Sequence, residues 1–429
     1  MEMSGTDSQR TQPDVHDQTR QKNSGTIASL ELIRGLASLD VFLWHVLNDN
    51  IGFVHIPGLY RAVAWARESV IVFFVLSGYV IALSQQRKHR DAPRFFKARV
   101  KRILPIYLVA LAVALLVTAA LHASCTPWQV VGHLLFLQSY EGHLVPPLQI
   151  NGTLWSLGTE FEFYILFTLI LICRKPGLLW LWWWLSIAGM LIRYFGYFGS
   201  GAQGLLLEFL GLSPCWLLGY FAAGFRDTRS FSFLQSVALF VMIPMVSWAN
   251  FGAPIYGADG FDDLKCFFLA LLIVPLIHAL AVRQLYPGAR PVRNGWGVVI
   301  ITYICLAVYA LTHPMASMTM MMIYAIAPLI IFLMVYGCSG RGMTGIFHSE
   351  AFRRTAIFMG GASYALYAIH TPLMFWVEHV ISNRTLQFPF LVLLVAGSVL
   401  LLEFVLQPWA ASWIDRLWKI GRDDKIRND

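Results

Sequence analysis

The strongest constraint on this chain is its repeated return to apolar stretches of bilayer length. Such stretches lie near residues 28–48, 68–86, 102–122, 153–173, 178–195, 205–225, 232–250, 265–282, 297–312, 318–337, 357–377 and 388–408, separated by short polar or basic connections. A helix rises about 1.5 Å per residue, so roughly 20 apolar residues match a hydrocarbon core about 30 Å thick. Several stretches are near the lower length limit, where re-entrant or broken helices replace full crossings; the expectation is therefore about 10–12 spans. In lipid every backbone polar group must be satisfied within its own segment, which makes the expected fold class all-α, a polytopic transmembrane helix bundle. Composition agrees. Hydrophobic residues make up 57% and charged residues 13%, and the mean hydropathy is +0.60, whereas soluble domains carry roughly 25% charge.

The net charge of +8 arises from short basic runs between the apolar stretches rather than from a basic face, which argues against nucleic acid. Of the 32 Lys and Arg residues, all but Arg34, Arg61, Arg67, Arg193, Lys265 and Arg384 fall in segments on one side of the membrane if the N-terminus is cytoplasmic. The positive-inside rule then places both termini in the cytoplasm and makes the number of spans even. Six scattered cysteines have neither disulfide-framework nor zinc spacing. Residues 1–27 are polar and are expected to form a disordered cytoplasmic tail, residues 28–410 the membrane domain, and residues 411–429 a short charged cytoplasmic tail. The first apolar stretch lacks a small-residue cleavage site and is expected to stay as an anchor.

Ionisable residues inside the apolar stretches are the candidates for chemistry, because a charge at the bilayer centre costs of order 3 kcal/mol or more. Arg34 and His45 lie eleven residues apart in the first stretch, about three helical turns and about 16 Å on one face. Two readings stay open: Arg34 reaches the headgroups and His45 is a core histidine, or both face a polar interior. Glu160 and Tyr164 share a face at one i, i+4 step, while Glu162 points elsewhere, toward a surface or loop. Ser363, Tyr367 and His370 form another stripe, followed by Pro372. Counting depth from the segment ends puts His45, Glu160 and His370 in the outer half and Arg34, Arg99 and Arg102 in the inner half. Arg99 and Arg102, one turn apart, suit phosphate through their planar, forked donors, or else serve only to fix topology. Ser77, beside Gly78, reads as a helix-packing residue before a nucleophile. The connection 123–152 carries His133, His143 and Glu141 without metal spacing and is assigned no chemistry.

Five motifs in this order resemble the acyltransferase-3 family of bacterial membrane acyltransferases: LELIRGLASLDVFLWH, FFVLSGYVI, the Arg-x-x-Arg-Ile-x-Pro of RVKRILP, WSLGTEFEFY and SYALYAIHTP. The family's Leu-Asp-Gly opening is Leu30-Glu31-Leu32 here, its acidic residue before the Phe-Phe pair is Ile71, and the second Glu of its Glu-Glu pair is Phe161. No hydrolase-like domain of the kind some members carry is expected. The resemblance implies a multi-pass protein of the bacterial inner membrane. It also implies acyl-CoA, typically acetyl-CoA, as donor substrate and a carbohydrate or glycolipid acceptor; no tightly bound cofactor is expected and, from the absence of ligand spacing, no metal.

On that resemblance His45 and Glu160 carry function, and His45 is the expected general base with Glu160 its orienting carboxylate; His370, by its stripe and depth, is a third candidate. Arg34, Arg99 and Arg102 are expected to hold the phosphates of coenzyme A, with Ser77, Trp155 and Tyr164 contacting substrate. The alternative is a transporter or flippase for a lipid-linked sugar or small solute, with the same charged residues as a proton relay. The sequence has no internal repeat of the kind many secondary transporters show. A purely structural membrane subunit accounts for the hydropathy but not for the aligned ionisable stripes.

Overall fold

The computed structural model describes residues 15–47, 65–87, 91–224, 231–248, 262–285, 295–312 and 350–428, with the single positions 292, 329, 330 and 333. The expected segment 318–337 lies almost wholly outside them. All regular structure among the described residues is helical. In chain order the helices are α1 (Val15–Leu47), α2 (Ala66–Arg87), α3 (Ala92–Ala120), α4 (Pro127–Leu134), α5 (Leu154–Cys173), α6 (Gly177–Tyr194) and α7 (Gly201–Gly224). There follow α8 (Phe233–Trp248), α9 (Asp263–Leu285), α10 (Gly295–Thr312), α11 (Glu350–Val380), α12 (Arg384–Leu401) and, after a π-helical turn at Leu402–Leu406, α13 (Gln407–Asn428).

Six helical segments among the described residues are long and apolar enough to cross a membrane: Ala66–Gln85, Ala92–Ala120, Leu154–Cys173, Gly201–Gly224, Asp263–Val282 and Arg384–Trp418. Helix α1 stands apart because its apolar half carries Glu31, Arg34 and Asp40. It begins at Val15, inside the stretch read from sequence as a tail. The basic run before residue 102 is helical too: α3 starts at Ala92, capped by Asp91, and takes in Arg94, Lys97, Arg99 and Lys101. Pro372 does not end α11, which continues to Val380.

Small residues set the spacing of the bundle. Helix α2 packs on α7 through Gly78 and Gly219. A methyl group at Gly78 would overlap the carbonyl oxygen of Trp216, and one at Gly219 the carbonyl oxygen of Val75. Helix α1 lies mainly against α11, where Gly35 meets Met359 and Gly360 meets Glu31. An aromatic core surrounds fully buried Trp216, whose ring stacks on Trp182 at a centroid distance of 5.3 Å. Helices α1, α2, α3, α5 and α11 thereby come to surround one cavity.

The connection from α3 to α5 folds as a cap over one end of this group. Thr126 and Gln129 form a capping box on α4. Tyr107 donates to the His133 carbonyl at 2.7 Å, and Gln138 donates to the Tyr107 hydroxyl at 2.9 Å and to the Leu154 carbonyl at 3.0 Å. Asn151 reaches α11, donating to the Ala368 carbonyl at 3.0 Å.

Candidate active site

The cavity holds about 140 Å³ and is cationic at one end. Arg34, Arg99 and Arg102 line it together with Glu31 and Glu160. All three arginines expected to bind phosphate thus share one space. The single NH₂ nitrogen Nη1 of Arg34 sits 2.7 Å from both Glu31 oxygens, one helical turn away, so this charge is already compensated. Arg99 and Arg102 have no carboxylate within ion-pair distance among the described residues. The Arg99 guanidinium lies 5.5 Å from the centre of the Phe95 ring and 5.6 Å from that of Tyr164, and its Nε has no hydrogen-bond partner among the described residues. A buried donor left open beside a cavity is an incomplete anion site.

Glu160 is oriented by a chain of hydroxyls. The Trp216 indole N–H donates to Ser77 Oγ at 3.2 Å, Ser77 Oγ lies 2.8 Å from the Tyr164 hydroxyl, and that hydroxyl donates to Glu160. Since the indole can only donate and the carboxylate accepts, every proton in this chain points toward Glu160. Ser77 and Tyr164 both line the cavity, but the Ser77 hydroxyl is engaged on both sides and is not poised as a nucleophile. Glu160 makes no contact with His45. The expected carboxylate–histidine pair is therefore corrected: Glu160 belongs with the arginines, because its i+4 partner Tyr164 holds it at their end.

His45 is paired with His370 instead. The Nε2 of His370 is 3.3 Å from Nδ1 of His45, and the rings tilt at 56° with centroids 5.0 Å apart. Nδ1 of His45 lies 2.8 Å from the Val41 carbonyl, and Nδ1 of His370 lies 3.0 Å from the Leu366 carbonyl. A carbonyl can only accept, so both rings carry their proton on Nδ1 when neutral. That leaves Nε2 of His45 as a lone pair with no hydrogen-bond partner among the described residues. Thr371 Oγ1 is 3.3 Å from His370 Nε2 and 3.4 Å from Thr153 Oγ1, which links the dyad to the start of α5.

The wall between cavity and dyad is Ser156 and Tyr367, hydroxyl to hydroxyl at 2.7 Å, with the Tyr367 ring 6.2 Å from that of His370. Neither was singled out for chemistry, although Tyr367 falls on the stripe of Ser363 and His370. Trp155, expected at the substrate, does not line the cavity; it packs against Phe74 and Tyr140, because the adjacent Ser156 and Leu157 take the inward positions.

A second polar cluster lies away from the cavity. Arg193, almost fully buried, pairs with Glu141 and Asp263, and His143 lies 2.5 Å from Glu141. Glu208 accepts the Tyr140 backbone N–H at 2.7 Å. Glu141, His143 and Glu208 bring oxygen and nitrogen atoms within 4.8 Å of one another, but Arg193 already satisfies Glu141 and backbone amides satisfy Glu208. The connection assigned no chemistry therefore carries an ion network that holds it to α6, α7 and α9. Glu162, expected to face a surface or loop, is half-buried and within electrostatic reach of Glu208, which accepts the backbone amides of Tyr140 and Glu141 in the connection.

Known proteins resemble the chain over most of its length. The acyltransferase domain family matches residues 27–406. Acyltransferase MdmB of Streptomyces mycarofaciens is 30% identical over 293 residues, covering 62% of this chain and 73% of that protein. The protein named "Putative acetyltransferase ORF330" of Acidianus two-tailed virus is 31% identical over 154 residues, covering 35% of this chain and 42% of its own length. No solved structure matches the chain. With a family match over nearly the whole length, and with the motif residues of five helices gathered around one cavity, the chain belongs to the acyltransferase domain family and is a multi-pass membrane acyltransferase.

Proposed function

We propose that the protein is an O-acyltransferase that moves an acyl group, acetyl in the simplest case, from acyl-CoA to a hydroxyl of a carbohydrate or glycolipid. The observation that carries this reading is the pair Arg99 and Arg102: two cations without an ion-pair partner among the described residues, on the wall of a cavity whose far wall adjoins His45 and His370. Forked guanidinium groups suit the phosphates of coenzyme A. The eleven residues of α1 from Arg34 to His45 span about 16 Å, roughly the reach of an extended pantetheine arm. Coenzyme A is here a substrate, not a resident cofactor.

In this reading Nε2 of His45 takes the proton of the acceptor hydroxyl as its oxygen attacks the thioester carbonyl. The carbon–sulfur bond breaks, the acyl group stays on the acceptor oxygen, and the departing thiolate takes the proton from the imidazolium. His370 holds the Nδ1–H of His45 and so keeps Nε2 as the basic atom. The charge distribution supports cytoplasmic termini in a bacterial inner membrane, with the donor entering from the cytoplasm.

Mass spectrometry of glycans and lipids from cells with and without the protein tests the proposal. Loss of an acyl group from one glycan class supports it. Unchanged chemistry with altered sidedness of a lipid-linked sugar overturns it in favour of a flippase.

A further inference from the structure

The cationic end of the cavity is braced by a segment that lies outside all five motifs. Pro105 sits inside α3 and has no N–H to give to the Lys101 carbonyl four residues earlier. Arg99 and Arg102, which line the cavity, lie six and three residues before this proline. The side-chain amide of Gln407, the first residue of α13, donates from Nε2 to the Lys101 carbonyl at 2.6 Å and to the Arg102 carbonyl at 3.3 Å. Both partners only accept, so the NH₂ end is the end of the amide that fits. Gln407 follows directly on the π-helical turn Leu402–Leu406, whose wider winding changes which face the next residue presents. Glu403 on that turn is within electrostatic reach of Arg102 and Glu31. Two turns beyond Gln407, Asp415 pairs with Lys97 and Lys101 at 2.7 Å each.

We infer that Gln407 is a positioning residue of the donor site: it supplies the hydrogen bond that Pro105 withholds and thereby fixes the turn of α3 from which Arg99 and Arg102 reach the cavity. The inference rests on reading the cavity as a coenzyme A site. A side chain that acted only as packing between α3 and α13 would not depend on the residue at position 105. Gln407 does, because replacing Pro105 returns a backbone N–H to the same carbonyl.

The test measures acetyl-CoA affinity of the purified protein in nanodiscs by calorimetry, with steady-state transfer alongside. Gln407→Leu keeps the bulk and removes the donor. It is expected to weaken acetyl-CoA binding about five- to tenfold, with kcat at saturating donor and KM for acceptor little changed. In a Pro105→Ala background, Gln407→Leu is expected to change donor affinity less than twofold. Unaltered affinity in Gln407→Leu, or the same loss in both backgrounds, overturns the inference. If Gln407→Leu alone fails to fold, the double variant decides: recovery of folded, donor-binding protein supports the inference, and no recovery overturns it. A wild type that binds no acetyl-CoA overturns the donor reading and this inference with it, whereas a binding wild type with an indifferent Gln407 overturns this inference alone.

Discussion

Nε2 of His370 lies 3.3 Å from Nδ1 of His45, so the side chain that orients the proposed base is a second imidazole rather than a carboxylate. A carboxylate would both orient the base and stabilise the imidazolium. A neutral histidine does only the first, and it cannot share a second positive charge at this separation. The dyad is therefore built to work with both rings neutral, and protonation of either should stop it.

His45→Ala is expected to lower kcat by about 10² to 10⁴, and His45→Gln should not restore it, since an amide cannot take the proton. His370→Ala should cost less, and the double variant should be no worse than His45→Ala, because the two act as a unit. Glu160→Gln should leave the acid limb of the pH–rate profile in place, since Glu160 is bonded to Tyr164 and not to His45. A limb that moves in Glu160→Gln would restore Glu160 as the partner of the base.

Arg99→Gln and Arg102→Gln should each weaken acyl-CoA binding about 10- to 100-fold, the range for a charge-assisted hydrogen bond to a phosphate. Arg34→Gln should fail differently. It leaves Glu31 as an unpaired carboxylate within the bundle, so the loss should fall on thermal stability and be relieved by Glu31→Gln. Equal donor affinity in Arg99→Gln and wild type, by calorimetry, would return Arg99 to a topological role.

Gly78→Ala should cost about 1–3 kcal/mol or more, because the added methyl meets the Trp216 backbone, which has no rotamer to yield. A drop in the thermal midpoint of the detergent-solubilised protein checks this, and a wild-type midpoint would mean that α2 and α7 are farther apart. Ser77→Ala, one residue away, should keep activity within several-fold, since a nucleophile would lose nearly all of it.

The cap over the dyad should loosen in mild acid. His133 is fully buried, with Nδ1 bonded to the Gln129 carbonyl at 2.7 Å and Nε2 without a partner among the described residues. Burial pushes its pKa below the ordinary 6.5. The open form then binds the proton more readily, so the closed form loses stability as pH falls from about 6.5 toward the lowered value. Hydrogen-exchange protection over residues 127–151, corrected for intrinsic rates, should fall below pH 6 in wild type and be flat with pH in His133→Gln. A pH-independent wild type would discard the assignment.

Much of the site was legible in the sequence because its residues recur on helical faces within apolar stretches, where a charge is too costly to be incidental. The Arg34 and His45 stripe, the Glu160 and Tyr164 step, and the Ser363, Tyr367 and His370 stripe each follow from 3.6 residues per turn, and each pair or stripe lies where that period puts it. Pairing between helices was not legible. The match of Glu160 to His45 rests on similar depth and on the analogy with catalytic triads, and neither says which faces meet.

The sequence by itself determined that the chain is an all-helical membrane protein, which ionisable residues lie inside it, and which share a face, since bilayer thickness and helix period leave little choice on these points. Only the tertiary structure decided that His45 meets His370, that Glu31 compensates Arg34 while Arg99 keeps an open donor, and that Gln407 reaches back across 306 positions to the carbonyl that Pro105 leaves without its N–H. Such partners depend on rotation and spacing between helices, which close glycine contacts such as Gly78 on Trp216 and Gly35 on Met359 set, and these are properties of the packed bundle rather than of any one segment.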